Sequence, residues 1–158
     1  MNIEIRNETI ILPLPTEELV VEKEKKWRLC LPVEYKEFIM KYNGGSPAKN
    51  SFDYNNHSYA IVRFLCILKN VRENNMGWYD ISVVESQIGE RLTENEDLIG
   101  IEVLPIAELF AGDYLCLDFR KDKVNPTICV WNHEESSEFE PRTYLVADDF
   151  KEFLSLLY

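Results

Sequence analysis

Between Leu31 and Pro47 the chain spells out one helix with both ends marked, and no other stretch restricts the fold as much. Pro32 stands at the first helical position with Glu34 just inside, where a missing N–H costs nothing and the helix dipole favours an acid. Tyr35, Phe38, Ile39 and Tyr42 follow at i, i+3, i+4 and i+7, which gathers them on one helical face. Asn43-Gly44-Gly45 ends the helix with residues that tolerate the left-handed region, and Pro47 bars continuation. A helix this apolar on one side requires a second layer to bury it.

The rest of the chain supplies that layer. Thr16 is placed to cap a first helix with Glu17 and Glu18 in its first turn and Val20, Glu24 and Trp27 at helical spacing. Residues 59–67 are β-branched and aromatic and read as a strand, whereas the polar Asp53–Ser58 before them reads as a solvated loop containing His57. Asp80 opens a helix carrying Ile81, Val84, Ile88 and Leu92. Residues 101–106 read as an edge strand because of Pro105. Residues 114–119 and 127–131 read as an antiparallel pair. If Phe119 pairs with Pro126, Leu115, Leu117, Ile128 and Val130 share one face and Cys116 meets Cys129 on the other. Residues 139–146 add a strand, and Asp149 with Glu152 forms a capping-box variant opening a helix with Phe150, Phe153, Leu154 and Leu157 inward. The order of elements is that of a single α+β domain over 1–158, with an extra N-terminal strand or hairpin over 1–12.

Composition then narrows the function. A chain of 158 residues, 46% hydrophobic, builds a full core without metal or disulfide staples and needs no cofactor to fold. Its net charge of −11 argues against nucleic acid and anionic membranes as partners, since both demand clustered Lys and Arg. Glu4, Arg6 and Glu8 stand where a signal peptide would be apolar, and nowhere does an apolar run approach the ~20 residues of a membrane span. The four cysteines, at 30, 66, 116 and 129, form no C-x-x-C pair, sit among apolar neighbours, and read as reduced, mostly buried thiols of a cytoplasmic protein.

The acidity is confined to the second half. Residues 1–79 hold 11 basic against 10 acidic side chains, residues 80–158 hold 6 against 18. Two clusters lie in loop-like stretches: Glu94, Glu96 and Asp97, then Glu134, Glu135, Glu138 and Glu140. They are either a solvated face or a patch that steers and docks a basic protein, for which Trp78 and Tyr79 are candidate apolar anchors.

Leu31-Pro32-Val33-Glu34-Tyr35-Lys36-Glu37-Phe38 followed by Asn43-Gly44-Gly45 resembles the "LP-x-x-Y-x-x-F…NGG" signature of the SUKH superfamily, founded on fungal cell-wall-assembly regulators. Glu24 matches the family's first-helix glutamate and 104–107 its "lipia" segment. Residues 111–118, ending in Asp118, resemble its "gd-x-x-x-lD" strand, 128–131, ending in Trp131, its returning strand, and 147–153, with Phe150 and Phe153, its closing helix. The resemblance runs in order from about residue 16 to 158; residues 1–12 are extra, and Asp149 stands where the family often has Ser. It implies a mostly antiparallel central sheet flanked by N-terminal and C-terminal helices, with the signature residues serving the fold. It also implies a bacterial immunity protein that binds and neutralises a polymorphic or contact-dependent toxin, with a regulatory scaffold or adaptor domain as the alternative.

An enzyme fits less well. His57 and His133 are the only side chains with an ordinary pKa near neutrality, and neither has metal-ligand spacing with the other. No G-x-S-x-G, P-loop or G-x-G-x-x-G occurs, and thiols among apolar neighbours are poor nucleophiles. Asp113 and Asp118 could form a carboxylate pair, but a strand-end aspartate more simply accepts backbone N–H groups at the hairpin. The expectation is a non-enzymatic domain with no catalytic or metal-binding residues, no cofactor, and a basic toxin domain as its partner.

Overall fold

A computed structural model describes residues 3–158. Among the described residues the main elements are four α-helices and a six-stranded sheet: α1 Glu17–Trp27, α2 Val33–Tyr42, β1 Ser51–Tyr54, β2 His57–Phe64, α3 Ile81–Ile88, β3 Val103–Leu109, β4 Tyr114–Asp118, β5 Thr127–Trp131, β6 Thr143–Ala147 and α4 Phe150–Ser155. The strands pair antiparallel in chain order, so the sheet is a meander.

The caps are those the sequence specifies, with one shift. Thr16 Oγ1 accepts the Leu19 N–H at 3.2 Å, Asp80 accepts from Ser82 and Val83, and Asp149 accepts from Glu152 at 2.7 Å. Glu152 returns its carboxylate to the Asp148 N–H at 2.7 Å, which closes the box one residue early. Pro32, expected at the first helical position, is instead the N-cap of α2, and Val33 is the first helical residue. At the other end Gly44 takes the left-handed turn with φ 70°, where a Cβ would also stand 2.5 Å from Ile11 Cδ1.

The β4–β5 register is the expected one. Leu115 faces Val130, Leu117 faces Ile128, and Cys116 faces Cys129 on the opposite side. The first set joins the main core, which α2 and α4 fill with aromatic edges: Tyr35 to Phe150 at 5.3 Å, Phe38 to Phe64 at 4.7 Å, and Phe52 to Phe153 at 5.1 Å. Each such pair contributes about 0.5–1.5 kcal/mol beyond its buried area. The second set packs with Val103, Trp131 and Leu92 under Ile88 of α3, so the sheet is covered on both faces.

Four expectations need correction. The segment with Pro105 is no edge strand; β3 runs 103–109 in the sheet interior, between β2 and β4. The register shifts between Pro105 and Ala107, and a bulge is where a residue without an N–H can enter a central strand. The polar stretch 53–58 is a hairpin, with Asn55 and Asn56 at φ 50° and 65° forming its two-residue turn and His57 opening β2. The last strand begins at Thr143 and not at Phe139, which sits in a loop at φ 59°. Of the N-terminal strand or hairpin expected over 1–12, residues 3–12 form a single bridge, Ile5 to Pro47, and a turn at Asn7–Thr9; the rest of that stretch lies outside the described residues.

The sheet is strongly coiled. Six strands about 4.8 Å apart would hold the edges of a flat sheet some 24 Å apart, yet the rings of Tyr54 on β1 and Tyr144 on β6 lie 6.2 Å apart. The chain end spans the remaining gap. Tyr158 exchanges both backbone hydrogen bonds with Ser51 on the outer edge of β1, at 3.0 and 2.9 Å, and its hydroxyl donates to Asp53 at 2.6 Å. That covers the Ser51 end of an edge otherwise open to pairing with another chain.

One core side chain is not optimised. Tyr35 is 1% exposed and its hydroxyl has no hydrogen-bond partner among the described residues, and burial pushes its acidity far out of reach. An unpaired buried hydroxyl costs about 1–3 kcal/mol, so Tyr35→Phe is expected to raise the thermal midpoint by roughly 2–4 °C for each kcal/mol recovered, about 2–12 °C in all. A lower midpoint in a calorimetric scan would show that the hydroxyl is bonded in solution.

Candidate partner-binding surface

The signature residues act as fold hardware. Glu24 accepts the Leu31 N–H at 2.7 Å and pairs with Lys36 at 3.1 Å, so one carboxylate joins the end of α1 to the start of α2. Asn43, 1% exposed, donates to the carbonyls of Ile11 (3.1 Å) and Ile67 (3.2 Å) and accepts the Ile67 N–H (2.8 Å). It ties the N-terminal segment, the end of α2 and the continuation of β2 together. Asp118 accepts the Arg120 N–H at 3.0 Å, as expected of a hairpin aspartate, and also takes the Arg120 guanidinium on both oxygens at 2.9 and 2.8 Å. It lies at the opposite end of β4 from Asp113, which accepts from the backbone and ring Nδ1 of His133 at 3.0 and 2.6 Å.

The acidic loops are organised by a residue the sequence reading passed over. Arg91 follows α3; its guanidinium lies 5.0 Å from the Trp131 ring centre and donates to the carbonyls of His133 and Ser136, the latter at 3.0 Å. The Arg91 carbonyl accepts the Trp131 indole N–H at 2.9 Å, and the Glu90 carbonyl accepts the Phe139 N–H at 2.7 Å. The segment 89–92 is thereby clamped to the loop 132–140. Consequently Glu96 and Phe139 line one cleft of about 290 Å³ together with Glu85, Glu90 and Glu102. Burial pushes the Glu85 carboxyl up, with Lys26 opposing. Lys123, 3.5 Å from Glu102, is the cation at its margin.

Every candidate contact carboxylate is exposed: Glu94, Glu96, Asp97, Glu134, Glu135, Glu138 and Glu140. Glu135 turns to the other side of the loop, where both oxygens contact the Tyr144 hydroxyl at 2.7 and 2.8 Å. Trp78 and Tyr79 are not beside these loops along the chain. They precede α3, whose eight residues span about 12 Å, while the 93–97 loop follows it. Trp78 is 69% exposed; Tyr79 is half-buried with the Arg63 guanidinium 4.6 Å from its ring.

The thiols divide unevenly. Cys66, Cys116 and Cys129 are buried, but Cys30 is exposed, contrary to its expected apolar setting, because the turn after α1 leaves it at the surface. Burial pushes Cys66 up to about 12 and raises Cys116 as well. Among the described residues no group of three His, Cys, Asp or Glu is placed to hold a metal, and no helix is long and apolar enough to cross a membrane.

The family described as SUKH_6, SMI1-KNR4 cell-wall, matches residues 17–154. The chain belongs to the SUKH family. SUKH domains are generally non-catalytic, and the family points to protein–protein interaction, in immunity proteins or in regulators of the cell-wall type. No curated protein and no solved structure matches the chain. Arg91 could have been singled out from the sequence as the sole cation between Glu73 and Phe119; Tyr144 carried no comparable signal.

Proposed function

We propose that this SUKH domain is a cytoplasmic immunity protein that neutralises a basic toxin domain by covering its active surface with the two acidic loops. The observation that carries the reading is the Arg91 clamp, which ties the segment leading into the 93–97 loop to the 132–140 loop, the acidic carboxylates of both loops being exposed. A merely solvated face has no need of such fixing. Pre-ordered loops lose little entropy on binding, and a concentrated negative field speeds encounter with a basic partner. Nucleases that grip phosphate backbones are basic for their own reasons, which makes them suitable targets.

The test is co-expression with the C-terminal domain encoded by the neighbouring upstream gene, scored by growth rescue and by co-purification at low and high salt. The reading expects rescue and a complex that weakens steeply with salt. Reversing Glu94, Glu96, Glu138 and Glu140 to Lys should weaken the complex by on the order of 100-fold while leaving the thermal midpoint within a few degrees, since exposed charges contribute little to folding. An unchanged complex means that the loops are not the contact. Several weak, salt-insensitive partners in place of one tight one would instead identify a scaffold or adaptor.

A further inference from the structure

The coiling of the sheet creates a second cleft, about 520 Å³, where the β1–β2 hairpin meets the start of β6 and the loops at 110–113 and 132–135. This is within the size range of ligand pockets. The rings of Tyr54, Tyr59 and Tyr144 line it, its acidic groups are the carboxylates of Asp113 and Glu135, its other polar side chains include His57 and Asn132, and among the described residues no Lys or Arg lines it. Tyr59 is held by stacking on Phe52 at 5.3 Å. The Tyr144 hydroxyl carries one hydrogen, so only one of the two Glu135 oxygens it touches receives it. Asp113 uses Oδ1 for both His133 contacts, and Oδ2 has no partner among the described residues. Two acceptor oxygens therefore stand uncommitted among three π-faces. At the rim Phe110 is 75% exposed, on a turn in which Ala111 holds φ 73°, a conformation that a residue with a Cβ adopts only under constraint.

We propose that this cleft receives an arginine side chain of a protein partner, with Phe110 covered by the residues flanking that arginine. A planar guanidinium stacks on tyrosine faces and delivers paired N–H groups to carboxylate oxygens, which an ammonium does less well. The cleft has room for more than one side chain, and an exposed aromatic at its lip suits a polypeptide better than a free small cation. The inference rests on the protein-binding reading above and extends it to a surface across the 132–140 loop from the Glu96 cleft.

The experiment titrates the whole protein with N-acetyl-arginine methylamide and follows the ring protons of Tyr54, Tyr59 and Tyr144 by NMR. The citrulline analogue serves as the neutral isostere and tetramethylammonium as the small-cation arm. Saturable shifts are expected with a dissociation constant of about 1–10 mM, as befits one side chain, absent for citrulline. Glu135→Gln should weaken the binding by about fivefold or more without moving the thermal midpoint, because it removes a charge-assisted acceptor at an exposed position. Glu138→Gln should change nothing. No saturation for the arginine probe, equal binding of citrulline, or indifference to Glu135→Gln each overturns the proposal, as does tetramethylammonium binding tighter than arginine. Arginine binding without any toxin complex would leave this inference standing and remove the toxin reading. A toxin complex indifferent to both Glu135→Gln and Phe110→Ala would do the reverse.

Discussion

Replacing Asn43 by Ala is expected to lower the thermal midpoint by roughly 10 °C, at about 2–4 °C per kcal/mol for a chain of this size. The side chain is small and Ala removes little apolar area, so packing alone predicts a mild effect. The cost lies in what is left behind. The Ile67 N–H and the carbonyls of Ile11 and Ile67 are all satisfied by this one amide, in a region closed to water. Each buried group left without a partner costs about 1–3 kcal/mol, and the total is a large share of the ~5–15 kcal/mol that holds a typical domain together. Asn43→Asp separates the two halves of the role. It keeps an acceptor for the Ile67 N–H but turns an oxygen toward two carbonyls, so the buried carboxyl favours its protonated, donating form. Its pKa in the folded state then lies above the unfolded value, and stability gained at low pH is lost as pH rises through that folded pKa. Scanning calorimetry at pH 4 and pH 8 reads this directly: Asn43→Asp should recover at the lower pH relative to wild type, while Asn43→Ala should not. A drop under about 3 °C for the alanine variant would mean that the segments do not depend on this bridge.

Much of this framework is legible in the sequence because its signals are local. The cap residues Thr16, Asp80 and Asp149 act within a turn of themselves, and alternation sorts Leu115, Leu117, Ile128 and Val130 from Cys116 and Cys129 once Phe119 is set opposite Pro126, the register the sheet adopts. The failures have physical causes too. Pro105 argues for an edge when taken alone, but a bulge accommodates it in the sheet interior. Asp53–Ser58 is polar because one side of the hairpin faces water, and polarity hid a strand whose Asn-Asn turn was the better guide. The candidate site was least legible. Its acidic residues are visible as composition, but what arranges them is Arg91 reaching carbonyls 42 and 45 residues away, and no periodicity reports a contact of that range. The cleft between Tyr54 and Tyr144 depends on the coil of the whole sheet, which individual strand patterns do not encode.

The largest loss of stability is expected from Trp131→Ala, about 4 kcal/mol or more. The indole is 1% exposed and packs with Leu92, Val103, Cys116 and Cys129 on the face of the sheet beneath α3. Removing it opens a cavity between sheet and helix and also withdraws the N–H that the Arg91 carbonyl accepts. The consequence reaches the surface. Arg91 loses the ring beneath its guanidinium, and the 132–140 loop depends on that guanidinium for two of its carbonyl contacts. Trp131→Ala should therefore be both less stable in urea and more rapidly cut by a glutamate-specific protease after Glu134, Glu135, Glu138 or Glu140. Two further variants apportion the effect. Trp131→Phe keeps most of the packing and gives up the hydrogen bond, for about 1–2 kcal/mol. Arg91→Ala keeps the core filled and releases the loop, so its protease sensitivity should rise out of proportion to its loss of stability. If Arg91→Ala is cut no faster than wild type under native conditions, the clamp does not order the loop, and the case for a pre-formed acidic docking surface falls with it.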